Sequence, residues 1–466
     1  MQVYPMLGYQ EQSTCMELCL KLGGQSPSVK TLKEWEYLYK EVQHISPDPR
    51  QLPDYIWLSA TEGDRNLDLR RLENWPKGTE AEEGKWREYY TGDELTNFTK
   101  PWFSSNGDTE EGNHSNCIFY SPQRFPTASW QEWQCQAENY GCPCSFETPP
   151  NLLLRGVCQG SSIEQIRYTP KQFPSDPSDM FMVGAESSQL RFEKNFSRWV
   201  LRSPFRNVTA TSMASQVSYA LGTQNWTVTG DSPACSSDGK PYTREMKLTG
   251  CSTTEFTCST GQCISMEQRC NQVQDCLGSD KSDEWNCNNI HIEDGYTREI
   301  PPISTTGSGE NKKTIPVQVE VSMILQKVVT IEEEEHSISF KFQISMEWKE
   351  NRVSYRNLKE DWTINTVREE DVKMLWLPLV IYTNTDQQET TRLGEKWEWS
   401  TIMHVLKQGD HSSWYSFFEL DEAYVFKGEE NSLRMEQIYT RPFQCVFKLS
   451  KYPFDTQVSI TYLVPK

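Results

Sequence analysis

The sequence predicts a multidomain, mainly β extracellular protein. It divides into an α+β domain over residues 1–146, a small β module over 147–250, a disulfide-rich module over 251–287, a linker over 288–313 and a truncated antiparallel β-sandwich over 314–466. Three observations predict this. Fourteen of the 15 cysteines precede residue 290, mostly in tight groups, as in a disulfide framework made in an oxidising compartment. Five glycosylation sequons, at Asn97, Asn113, Asn195, Asn207 and Asn225, point to the same secretory route. Helical periodicity shows in the first segment, whereas short alternating strands fill the last one.

Bulk composition excludes several functions. Lys+Arg 46 against Asp+Glu 65 leaves a net charge of -19, with no basic cluster, so neither nucleic acid nor an anionic membrane surface is an expected partner. The longest apolar run, "MLWLPLVIY" at 374–382, contains a proline and is far short of the ~20 residues that span a bilayer. The six histidines form no HExxH, and neither GxSxG nor a phosphate loop occurs, so the chain is not expected to be an enzyme. The start, "MQVYPMLGYQEQ", has no signal-peptide pattern. Set beside the cysteines and sequons, it predicts that the true N-terminus lies upstream.

In the first segment "STCMELCLKLGG" reads as a short helix, with Ser13 or Thr14 as cap and Gly23-Gly24 as terminator. A second helix starts at "TLKE", where Thr31 and Glu34 form a capping box and Leu32, Trp35, Leu38, Tyr39 and Val42 share a face. The strand "YIWLSA" and a long Trp-rich loop region follow. With "EGKW" at 83–86, Asn116-Cys117 and Cys135, the segment resembles the C-type lectin-like fold. That resemblance implies a Cys117–Cys135 bridge, with Cys15 and Cys19 pairing to Cys142 and Cys144. The sugar-binding version of the fold uses a Pro-containing Ca²⁺ loop and a Trp-Asn-Asp strand; here stand Asn106-Gly107-Asp108 and Trp130-Gln131-Glu132. Asp108 and Glu132 are oxygen donors, yet the expectation is a scaffold that binds no sugar.

The second segment holds short strands such as "LLLRGVC", "RWVL" and "NWTVTG" between turn residues, with Cys158 and Cys235 as its own pair. It reads as a glycosylated β spacer.

The third segment packs six cysteines into 37 residues, too few to enclose a large core, so it relies on bridges or a metal. Its "EFTC", "GQCI", "RC", "DC" and "SDE" elements resemble an LDL-receptor class A module. The resemblance implies bridges Cys251–Cys263, Cys258–Cys276 and Cys270–Cys287. It also implies a structural Ca²⁺ held by the side chains of Asn271, Asp275, Asp283 and Glu284 and the carbonyls of Gln268 and Val273. Asn271 replaces the family's usual Asp, and two extra residues precede the SDE element. Weakened Ca²⁺ binding is therefore expected.

A Pro, Gly and Ser-rich stretch, "IPPISTTGSGENKK" at 300–313, reads as the heart of the linker. Beyond it "VQVEVSMIL" and "SISFKFQIS" alternate as strands with one face buried, and "EEEE" at 332–335 reads as a solvated turn between them. Trp348, Glu350, Arg352 and Val353, then Trp376, Pro378 and Leu379, then Cys445, Tyr452, Pro453, Phe454, Asp455 and Gln457 follow in order. Together they resemble the ligand-binding domain of the Cys-loop, or pentameric, ligand-gated ion channels. The first motif of that family carries Asp where Glu350 stands, and Ser459 holds the place of the loop's closing cysteine. Losing that bridge removes ~3 kcal/mol and leaves Cys445 as a thiol.

The resemblance implies that Tyr452, Pro453, Phe454 and Asp455 couple agonist binding to a membrane pore, in a pentamer of subunits. It places the agonist pocket near Gln343, Tyr382 and Thr383. Because Gln343 and Thr383 stand where the family has aromatics, an aromatic cage for a cationic amine is not expected. The pocket segments and membrane helices that follow the signature loop in this family fall beyond Lys466, so a fragment of a channel subunit on the outer side of the plasma membrane is expected. The alternative is a secreted or endocytic recognition protein whose lectin-like and LDL-receptor modules take a protein or glycan ligand.

Overall fold

A computed structural model describes residues 2–4, 9–10, 12–28, 32–45, 56–61, 87–88, 116–120, 130–134, 140–147, 150–163, 166–173, 176–214, 219–236, 239–287, 290–292, 295–306, 313–382, 390–392, 402–414, 419–445, 447 and 463–465. The chain divides into two compact units. The first comprises Met1–Arg269, Val273–Trp285 and Tyr415–Glu422; the second comprises Cys270–Gln272, Asn286–Trp414 and Ala423–Lys466. Among the described residues no helix is long and apolar enough to cross a membrane.

The first unit opens with helices Gln12–Lys21 and Leu32–Ile45. The first begins at Gln12, so Ser13 and Thr14 lie inside its opening turn and do not cap it. Gly23, at φ +78°, ends it, and Gly24 N–H returns to the Cys19 carbonyl at 2.9 Å. Cys15 and Cys19, one helical turn apart, bond to Cys142 and Cys144. These bridges staple the helix to the strand Cys144–Phe146 and its approach. Beneath lies a sheet in the order Tyr9–Gln10, Tyr140–Gly141, Ile56–Thr61, Asn116–Tyr120 and Trp130–Gln134. Trp57 packs edge-on against Tyr140 at 4.5 Å, and Phe119 stacks on Tyr140 at 4.7 Å.

Residues 152–249 form more than the small sheet their strand pattern suggests. Eight antiparallel strands run as a meander, and Tyr242–Thr249 pairs back onto Leu152–Arg155 to close a barrel. Period-two alternation sends Trp199, Leu201, Val208, Ala210, Trp226, Val228, Met246 and Leu248 into one buried cluster. An eight-stranded barrel is about wide enough for its own side chains to fill. The bridge Cys158–Cys235 clips its connecting segments. Of the sequon asparagines, Asn195, Asn207 and Asn225 are exposed on this barrel, and Asn97 and Asn113 lie outside the described residues.

The cysteine-rich module has one short hairpin, Glu255–Thr257 with Cys263–Ser265, and a 3₁₀ turn at Ser282–Glu284. Cys251–Cys263, Cys258–Cys276 and Cys270–Cys287 are bonded.

The second unit is a β-sandwich. One sheet runs Val319–Glu332, Ser337–Lys349, Ser432–Gln444, Ile402–Leu406. Another runs Ile290–Ile292, Val353–Arg356, Ala423–Lys427, His411–Trp414, and a third pairs Leu379–Tyr382 with Thr390–Arg392 and Leu463–Pro465. Phe342, Ile344, Met346 and Trp348, every second residue of one strand, fill the core against Met403, Val405, Leu433, Met435 and Tyr439.

Two expectations about this unit need correction. Ile290–Ile292, read as linker, is a strand paired with Val353–Tyr355, and Ile303–Thr306 pairs with Lys313–Pro316. Strands of three and four residues are too short to show a period. The strand Val319–Glu332 buries neither face: it pairs on one side only, and Val321, Met323, Ile324, Leu325 and Val328 are exposed. Residues 333–336 do form an exposed turn.

Candidate functional site

The Trp348-x-Glu350-x-Arg352 motif leaves the end of the strand Ser337–Lys349 and turns into Val353–Arg356. Glu350 is 0 % exposed. A carboxylate this deep requires a cation and full hydrogen bonding. Arg352 supplies both, donating from Nε to Oε1 at 2.7 Å and from Nη2 to Oε2 at 2.6 Å. That bidentate pair raises the Arg352 guanidinium further above its ordinary pKa. The other face of Arg352 lies 4.5 Å over the Tyr296 ring, and its Nη1 donates to the carbonyls of Ile300 at 2.9 Å and Thr297 at 3.3 Å.

Tyr296 joins this motif to the next. Its hydroxyl donates to Glu350 Oε2 at 3.1 Å and accepts the backbone N–H of Trp376 at 2.7 Å. Burial pushes the phenol up to about 12, so it stays a neutral donor. Trp376 in turn meets Trp348 edge-on at 6.3 Å. The turn admits no side chain at Gly428, where a Cβ would stand 2.0 Å from the Glu350 carbonyl oxygen. The family resemblance located the two Trp motifs but missed Tyr296, which falls in the stretch read as linker. The signal for it was slight: an aromatic between two short apolar runs.

Gln343 and Tyr382, both expected near an agonist pocket, are not brought together. Tyr382 is 1 % exposed and packs against Phe342, Tyr439 and Phe443, so it belongs to the core and lines no open wall. Its neighbour Thr383 lies outside the described residues. Gln343 follows Phe342 in the strand and therefore presents to the opposite face. There it donates to Glu436 Oε2 at 2.9 Å, and Arg434 pairs with Glu436 Oε1 at 2.7 Å. The Arg434 guanidinium stands 5.7 Å from the Trp362 ring, which meets His404 edge-on at 4.9 Å; Thr366 Oγ1 and His404 Nδ1 are 3.2 Å apart. This polar-aromatic stripe is what the face offers a ligand. Glu436, Arg434, His404 and Trp362 were missed because four separate segments meet there.

Cys445 is buried and takes part in no disulfide among the described residues, and its N–H donates to the His336 carbonyl at 2.7 Å. Tyr452, Pro453, Phe454 and Asp455 lie outside the described residues, as do Cys135 and Asp108. Cys117 is disulfide-bonded.

In the cysteine-rich module Asp283 is fully buried, and its Oδ2 accepts the N–H groups of Asp275 at 2.6 Å and Cys276 at 3.4 Å. Asp275 is nearly buried and accepts the Gln268 amide at 3.2 Å. Glu284 is half-buried and Val273 exposed, while Asn271 belongs to the Cys270–Gln272 strip that groups with the second unit. The Asp283 and Asp275 carboxylates, with the Gln268 and Val273 carbonyls nearby in sequence, are oxygen donors of the kind a hard cation takes.

Residues 290–403 match the family described as neurotransmitter-gated ion-channel ligand binding domain, and residues 249–287 match low-density lipoprotein receptor domain class A. No curated protein matches the chain. The chain thus carries a channel-type ligand-binding domain and an LDL-receptor class A module, neither of which is an enzyme family. The lectin-like resemblance of the first segment is not among these matches.

Proposed function

We propose that this chain is the extracellular, ligand-binding portion of a ligand-gated ion channel subunit, in which agonist binding is coupled to a pore in a membrane domain. The observation that carries it is the Glu350–Arg352–Tyr296–Trp376 brace inside the matched region. Two family motifs 28 residues apart are tied by a buried charge pair and one phenol, which serves a rigid domain whose movement can be transmitted. The agonist-facing surface is the Gln343–Glu436–Arg434–Trp362 stripe. Its mixed charge suits a ligand with both anionic and donor groups better than a quaternary amine, which needs several aromatic faces. Assembly with further subunits follows from the same reading, with Tyr452, Pro453, Phe454 and Asp455 at the membrane end.

The LDL-receptor class A module is read as a Ca²⁺ site held by Asp275, Asp283, Glu284, Asn271 and the carbonyls of Gln268 and Val273. Oxygen donors suit a hard cation, and its binding would add stability that the small core of the module lacks. The exposed Asn195, Asn207 and Asn225 are read as glycan carriers, which supports an extracellular location.

Sequencing the transcript beyond the codon for Lys466 tests the reading. Four apolar stretches of ~20 residues downstream support a channel subunit. A stop codon there overturns it in favour of a secreted recognition protein.

A further inference from the structure

In the first unit, the two strands that close the barrel pair Arg155 directly with Lys247. Both side chains are buried, and Arg269 of the neighbouring module is buried as well. Three such cations repel one another and need counter-charge. It comes from the segment Tyr415–Glu422, which groups with this unit. Glu422, itself buried, takes Arg155 on one carboxylate oxygen and Lys247 Nζ at 3.1 Å on the other. Arg155 Nη2 also donates to the Asp421 carbonyl at 3.0 Å, and Arg269 Nη2 reaches Asp421 Oδ1 at 3.3 Å.

The remaining walls fit as well. The Phe256 ring lies 5.1 Å from Lys247 Nζ and 4.5 Å from the Arg269 guanidinium. Leu420 occupies the space a side chain at position 156 would need: a Cβ on Gly156 would stand 2.5 Å from Leu420 Cδ2. Cationic walls, an aromatic floor and a glycine cut-out make a receptor for the sequence Leu420-Asp421-Glu422.

Arg269 has a second duty. It donates to the carbonyls of Ser282 at 3.1 Å, Asp283 and Trp285, the turn that carries the buried Asp283 carboxylate. One guanidinium therefore holds both the acidic segment and the turn that bears the metal-type carboxylates.

We propose that the Arg155–Lys247–Arg269 cleft is a binding site for the acidic segment Leu420–Glu422, and that Arg269 makes its occupancy depend on Ca²⁺ in the neighbouring module. The proposal rests on the Ca²⁺ reading above. When the charges of Asp275 and Asp283 are balanced, the turn Ser282–Glu284 keeps its carbonyls on Arg269, which then faces Asp421. When they are not, the turn loosens and Asp421 loses its partner.

Hydrogen–deuterium exchange on the full chain, in millimolar CaCl₂ and in EGTA, tests this. Peptides covering 268–285 report the module and peptides covering 415–422 report the segment. Chelation is expected to speed exchange in both, by about tenfold in the segment, as for a local opening. Asp421→Asn, at a partly exposed position that tolerates the change, is expected to show the faster segment exchange already in CaCl₂. It is then expected to lose the response to EGTA while its module still responds. A module that responds beside a segment that does not overturns the proposal and leaves the Ca²⁺ reading standing. A module that does not respond overturns both. An Asp421→Asn segment that still responds to EGTA overturns the role of Arg269.

Discussion

The hydroxyl of Tyr296 stands 3.1 Å from the Glu350 carboxylate, joining a residue in a Pro and Gly-rich approach to the most deeply buried charge of the sandwich. The same oxygen receives the Trp376 N–H. One phenol thus adds a donor to the Glu350 carboxylate that Arg352 already pairs, and supplies the acceptor for the Trp376 N–H.

Tyr296→Phe is expected to destabilise the second unit by about 1–2 kcal/mol, the cost of leaving the Trp376 N–H without its acceptor. Glu350→Gln is expected to cost about 3 kcal/mol, because Arg352 keeps its charge and loses its bidentate partner. The two changes share a network, so the double variant should lose less than the sum. Denaturant titration followed by Trp348 and Trp376 fluorescence measures all three; strict additivity would break the link between the motifs.

His404 sets a pH dependence. Burial pushes its imidazole below the usual histidine value, with Glu436 pulling the other way and Arg434 adding to the depression. The folded state therefore favours the neutral ring, so stability is full above the unfolded value near 6.5 and declines as pH falls through and below it. The melting temperature of the second unit should drop more between pH 7.5 and 5.5 in the native chain than in His404→Asn. Parallel curves would remove His404 from the account.

The fold class was legible because its signals are local. Cysteine crowding marked the disulfide-rich module, and alternation in "SISFKFQIS" marked the central strand of the sandwich. Trp348, Glu350, Arg352 and Trp376 were legible through their resemblance to the motifs of the channel family. Closure of the barrel was not, since it depends on Leu152–Arg155 meeting Tyr242–Thr249 from the far end of the segment. The exposed strand Val319–Glu332 shows the converse: alternation promises a buried face only where a second layer arrives to cover it. The family resemblance puts Tyr382 beside the pocket, but the strand turns it inward to Phe342. The Gln343–Glu436–Arg434 stripe depends on cross-strand register, which one strand's sequence does not carry.

Asp231 governs the acid limb of the barrel. Its burial works to raise the carboxyl, but the Tyr242 hydroxyl, the N–H groups of Ser162 and Ser232 and the Ser161 hydroxyl together hold it below its ordinary value. Its contribution is complete above the ordinary carboxylate range and is lost as pH falls through the lower folded value. Asp231→Asn is expected to cost about 2 kcal/mol at neutral pH. It should also flatten the loss of barrel stability below pH 4, read by circular dichroism. An unchanged acid limb would assign that loss to other carboxylates.

Cys445 supplies the last test, because its state reports on the sandwich core. The sequence has 15 cysteines, so an odd thiol remains when every other cysteine is bridged. Cys445 is buried directly after the strand Ser432–Gln444, with its N–H on the His336 carbonyl. A thiol reagent is expected to find about no reactive group in the native chain and about one in denaturant, since reaction requires exposure of the thiolate. Tyr296→Phe and Glu350→Gln should speed labelling of the native chain if the brace stabilises the whole unit. If labelling stays slow while denaturant stability falls, the brace opens separately from the surroundings of Cys445. Stoichiometric labelling of the untreated native chain would instead place Cys445 at the surface.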